Sequence, residues 1–114
     1  MKDYSLKYKR DGENRGLLVL EGWVDFENAP EILAEGERLI KGAKDLAAEK
    51  SAGVAMTLDV SKVKTVQSVL LSLLLRWLDL LQIHEIDALV TGLSGKMLKM
   101  VSITGLDELI PTEG

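Results

Sequence analysis

The chain has 114 residues, 46% of them apolar and 28% charged, which suits one folded domain spanning residues 1–114 rather than a disordered chain. Its formal net charge of −4 argues against a nucleic-acid groove and against simple electrostatic binding to anionic lipid. It has no cysteine, which excludes disulfides, zinc–thiolate sites and thiol chemistry.

Tyr4 to Tyr8 alternates, with Tyr4, Leu6 and Tyr8 on one face, and predicts a first strand. Met1 to Arg10 is charged and has no apolar run, so no signal peptide is expected there. Asp11 to Asn14 is a turn cluster, and Gly16 to Glu21 predicts a second, more buried strand. The two strands should form an antiparallel hairpin. Gly22 to Glu27 reads as a connection. Asn28 stands three residues before Glu31, with Pro30 in the first turn, as a helix start. Ile32, Leu33, Gly36, Leu39, Ile40, Ala43 and Ala47 then recur at helical spacing. Gly36 on that apolar stripe suggests close approach to a sheet.

Ala48 to Gly53 reads as a loop and Val54 to Val60 as a strand. A short polar loop, Val60 to Gln67, precedes a helix opened by Ser68. In that helix Ser68, Ser72, Arg76, Asp79 and Gln82 share about a third of the circumference, and nearly everything else is apolar. A helix on one sheet face needs an apolar stripe of only ~100° or somewhat more. The excess predicts a second protein covering part of this helix. Trp77 should be core, with Leu71, Leu75 and Leu78 on a flank beside the polar stripe.

The apolar run Val69 to Leu75 ends at Arg76, far short of the ~20 residues of a membrane span. A soluble cytoplasmic protein, reaching the membrane only through a partner, is expected. Ile86 to Thr91 predicts a last strand, so that strand, helix and strand make a parallel βαβ unit. Ser94 can cap a final helix carrying Met97, Leu98, Met100 and Val101, with Gly105 as its terminator. Leu106 to Pro111 would close the chain. The fold class is α/β: a small mixed sheet with an N-terminal hairpin, a βαβ unit and helices mainly on one face.

The residues offer little for catalysis. His84, at a helix end, reads as a solvated turn residue. It lies over 20 Å along the helix from Ser68 and cannot serve it as a base. No carboxylate or histidine cluster has metal-ligand spacing. Gly92 to Met97 superficially matches a phosphate-binding loop, but Val90 replaces the first Gly and Met97 the Ser or Thr. Asp25, Asp59 and Ser68 admit two readings. They converge as a nucleotide or ligand loop at one sheet edge, or Ser68 is a helix cap and both aspartates serve turns.

Leu20-Glu21-Gly22-Trp23-Val24-Asp25 with Ala29-Pro30, Leu58-Asp59-Val60-Ser61-Lys62-Val63 through Leu75, and Ile103-Thr104-Gly105-Leu106 together resemble the STAS family. This is the sulfate-transporter and anti-sigma-factor-antagonist domain. Most similar is its MlaB-like branch, the small stand-alone STAS subunits of bacterial phospholipid-trafficking ABC transporters. The resemblance implies a STAS-like fold, no enzymatic activity, no cofactor, and docking on the transporter's cytoplasmic ATPase subunit. The expected partner face is Gln67, Ser68, Leu71, Ser72, Leu75, Leu78 and Asp79. The alternative it implies is an anti-sigma-factor antagonist, which binds an anti-sigma kinase and is switched by serine phosphorylation, with Ser68 the hydroxyl available. The loop departs from both branches: Gln67 replaces an acid, and Val69 stands where many antagonists carry the phosphorylated serine. That weakens a switch more than a scaffold.

Overall fold

The computed structural model describes residues 3–10, 15–47, 55–65 and 67–112. The turn expected at Asp11 to Asn14 and the loop at Ala48 to Gly53 lie outside them. Among the described residues four strands form one mixed sheet in chain order: β1 (Tyr4–Arg10), β2 (Arg15–Val24), β3 (Ala55–Thr65) and β4 (Asp87–Thr91). β1 and β2 are antiparallel, with Leu6 opposite Leu20 and Tyr8 opposite Leu18. β2–β3 and β3–β4 are both parallel. Helix α1 (Ala29–Ala47) crosses from β2 to β3 and α2 (Gln67–Ile83) from β3 to β4. The chain therefore holds two successive βαβ connections, because parallel neighbours require crossovers.

Alternation sets the faces. Leu18, Leu20, Met56, Leu58, Val60 and Val90 are buried, whereas Leu17, Val19, Thr57, Asp59 and Leu89 between them are only half-buried. The inward set joins Ile32 and Ile40 of α1 and Leu70, Leu74, Trp77 and Leu81 of α2 in one core. Helix α3 (Gly95–Ile103) adds Met97 and Val101. As expected, Ser94 caps it, accepting from the Met97 N–H at 3.2 Å. Gly105 follows the helix in a left-handed conformation and leads into a 3-10 turn, Leu106–Glu108. The closing segment then lies beside β4, where the Val90 N–H donates to the Pro111 carbonyl at 2.7 Å.

Two strands run further than their sequence suggests. β2 continues to Val24, and β3 crosses the stretch read as a polar loop and ends at Thr65. The extra residues pair with each other, from Glu21 opposite Lys62 to Val24 opposite Thr65. Polar side chains in Ser61–Thr65 disguise a strand whose stability comes from its neighbour's hydrogen bonds. Between Val19–Asp59 and Glu21–Lys62 the register shifts, so one residue of β2 faces Val60 and Ser61. The backbone of Gly92, at φ 86°, packs directly against this bulge at Ser61. A side chain there meets both a strained backbone and a main-chain neighbour. Gly92→Ala is expected to cost about 1–3 kcal/mol. An unchanged urea midpoint would show that the bulge yields.

Helix α2 ends at Ile83. The Ile86 N–H reaches the Leu81 carbonyl and the Glu85 N–H the Gln82 carbonyl, with Glu85 left-handed at φ 57°. This is a Schellman ending with glutamate where glycine is usual. His84 inside it, expected as a solvated turn residue, is half-buried. Both ring nitrogens are buried without a hydrogen-bond partner among the described residues.

Candidate functional site: two surfaces on the flanks of helix α2

The apolar excess of α2 is largely covered by the chain itself. Val69, Leu70, Leu73, Leu74, Trp77 and Leu81 are buried, as are Leu71 and Leu78 at 7% and 9% exposure. A second protein is not needed to cover them, because α2 packs against α1 on one side and β4 on the other as well as lying in the core. One-face periodicity counts only the sheet. Of the expected flank, Leu75 remains half-exposed.

Ser68, Ser72, Arg76, Asp79 and Gln82 are all exposed, so the polar stripe is real. Ser68 is the second residue of α2 rather than the residue before it, so its expected role as the cap gives way to a place in the first turn. The Ser72 hydroxyl donates back to the Ser68 carbonyl at 3.0 Å. Gln67 opens the helix. The stripe separates two depressions. Ser72 lines one, and Leu75, Leu78 and Asp79 line the other.

The first depression is an apolar cleft of about 340 Å³ between the start of α1 and α2. Phe26, Ala29, Pro30 and Leu33 form one wall, and Val69, Ser72, Leu73 and Arg76 the other. Phe26 is 73% exposed. The sequence reading missed this wall. Its available signal was the chain's single Phe, placed among polar turn residues.

Asp25 explains how Phe26 is held. Its Oδ1 accepts the N–H groups of Glu27 and Asn28, both at 2.9 Å, and its Oδ2 accepts the Trp23 indole N–H at 2.6 Å. Asn28 returns the bond, accepting the Asp25 N–H at 2.8 Å, and donates its amide to the Trp23 carbonyl. Asp25 and Asn28 thus form a reciprocal box one turn before Glu31. These bonds fix the turn from which Phe26 projects.

The Asn28 N–H above all, helped by the Trp23 and Glu27 N–H groups, holds the Asp25 carboxyl below the usual carboxylate value. A depressed folded-state value adds stability that is full above the unfolded value, about 3.9, and is lost as pH falls through the folded one. Acid unfolding of the wild-type chain and Asp25→Asn should therefore converge below about pH 4. Curves that stay parallel would refute the role.

Asp59 does not join Asp25. It lies six residues before Thr65, the partner of Val24, hence roughly 20 Å back along the sheet. Its Oδ1 accepts the Ser61 N–H at 2.9 Å, serving the bulge. Ser68 lies at the Asp25 end of the sheet, three residues beyond Thr65. Among the described residues no group of three or more His, Cys, Asp or Glu could hold a metal ion, and no helix is long and apolar enough to cross a membrane.

A family model described as "Mlab, STAS domain" matches residues 9–111. No curated protein sequence matches significantly. Among solved structures, the chain resembles the anti-sigma factor antagonist SpoIIAA in its unphosphorylated form. The TM-score is 0.64 at 14% identity, covering 96% of this chain and 88% of that one. The phosphorylated form of the Bacillus cell fate determinant SpoIIAA gives 0.62 at 16% identity, over 96% and 92%. An anti-sigma factor antagonist from Mycobacterium paratuberculosis gives 0.57 at 18%, over 96% and 84%. At these identities the likeness establishes the fold.

Proposed function

The chain belongs to the STAS domain family in its MlaB-type branch, and from that premise we propose that it is a non-catalytic interaction subunit of a lipid-trafficking ABC transporter. It binds and supports the transporter's cytoplasmic ATPase, and works at the inner face of the membrane through that partner. The observation that carries the reading is the open apolar cleft with Phe26 raised at its rim. Arg76 borders the cleft, exposed and without an ion-pair partner among the described residues, ready for an acidic group on the ATPase. Ser68 lies one turn of α2 before Ser72 and extends this face.

The alternative is an anti-sigma-factor antagonist, after the names of the solved relatives. Exposed Ser68, near the positive end of the α2 dipole, would be its phosphorylation site. Val69 speaks against it. It stands where many antagonists carry the modified serine, and it is an apolar residue buried in the core. Affinity purification of the tagged chain from its native host separates the two. An ABC ATPase at stoichiometric recovery supports the transporter role, and an anti-sigma kinase in its place overturns it. The isolated chain should hydrolyse neither ATP nor esters. Turnover lost on Ser68→Ala or Asp59→Asn would overturn the non-catalytic role.

A further inference from the structure

The second depression, about 590 Å³, lies between the end of α2, the start of β4 and the closing segment. Its apolar part includes half-exposed Leu75, buried Leu78 and Leu109, the last 61% exposed. Four carboxylates line it: Asp79, Glu85, Asp87 and Glu108. Among the described residues no Lys, Arg or His does, and none of the four has an ion-pair partner. An exposed leucine within an uncompensated acidic rim calls for a ligand that brings both apolar surface and positive charge.

The chemistry narrows the occupant. Anionic headgroups are repelled by the rim. A bare cation leaves Leu75 and Leu109 in water and finds no metal-binding group among the described residues. A second copy of this chain also carries a net charge of −4. We propose that the groove docks a basic amphipathic segment of a partner protein. Its apolar side chains sit against Leu75 and Leu109, and its Lys or Arg side chains meet Asp79, Asp87 and Glu108. This surface lies across the polar stripe from the Phe26 cleft and works independently of it.

The test titrates the isotope-labelled full chain with a designed Leu/Lys amphipathic peptide and with its Leu/Glu counterpart, followed by amide chemical shifts. The Leu/Lys peptide should move the amides of Asp79, Asp87 and Leu109, and the Leu/Glu peptide should not. Asp79→Lys with Asp87→Lys, and separately the exposed Leu109→Asp, should each weaken binding about tenfold or more, as expected for loss of a desolvated contact. Phe26→Asp should leave peptide binding unchanged, so the cleft can fail without the groove. Shifts centred on the Phe26 cleft would overturn the proposal, as would an equal loss on Glu37→Lys outside the groove. Sedimentation showing self-association abolished by Leu109→Asp would assign the groove to a second copy and equally overturn it.

Discussion

Trp77→Ala is expected to destabilise the chain by about 3–5 kcal/mol, a large share of the ~5–15 kcal/mol of a typical domain. Trp77 is 1% exposed and joins the two long helices. Its indole lies against Gly36 of α1, and its Nε1 donates to the Leu33 carbonyl at 3.2 Å. Truncation removes a large apolar side chain, empties the α1–α2 seam and deletes that bond. Urea unfolding followed by circular dichroism measures the loss, and a change under about 1 kcal/mol would show the seam to be loosely packed.

Gly36 tests the same seam from the other side. The sequence suggested close approach to the sheet, but the structure places the approach against the Trp77 ring of α2. In an open helix Gly→Ala gains about 0.5–1 kcal/mol. Here the added methyl meets a buried, rigid indole, and overpacking costs about 1–3 kcal/mol. Gly36→Ala should therefore destabilise the wild-type chain and become neutral or stabilising in a Trp77→Leu background. That reversal is a coupling between touching residues. Stabilisation by Gly36→Ala in both backgrounds would refute the contact.

Elements with one dominant partner were legible in the sequence. Alternation at Tyr4, Leu6 and Tyr8 marks the hairpin, and Ser94 and Gly105 bracket α3 by local chemistry that needs no tertiary knowledge. Ser61–Thr65 was not legible. Its polar side chains resemble a loop, and only pairing with Glu21–Val24 makes it strand. The apolar excess of α2 was misassigned for a related reason. Periodicity measures how much surface wants cover, but α1, the core and β4 supply that cover from distant parts of the chain. The cleft was hidden too. Its walls come from two helices whose spacing is set by Trp77 against Gly36, a contact between residues far apart in sequence. The covered ring nitrogens of His84 were not legible, because a polar residue at a helix end is normally wet.

Phe26→Asp is expected to lower affinity for the captured ATPase about 100-fold or more while leaving the chain folded. At 73% exposure Phe26 contributes little to the core, and surface substitutions usually stay within about 0.5 kcal/mol. At an interface the balance reverses. Aromatic anchors that fill a partner's pocket are worth about 2 kcal/mol or more, and the new carboxylate would have to be desolvated against apolar Leu33, Val69 and Leu73. The turn that presents Phe26 is already fixed by the Asp25–Asn28 bonds, so little ordering cost opposes docking. Phe26→Ala should give a smaller loss, since it removes the anchor without adding a charge. Ser68→Asp should weaken binding more than Ser68→Ala, because it puts charge on the same face. Titration calorimetry with purified ATPase, paired with circular dichroism of each variant, separates binding from folding. Undiminished affinity of a folded Phe26→Asp chain would take the cleft out of the interface and leave the ATPase to dock elsewhere on the domain.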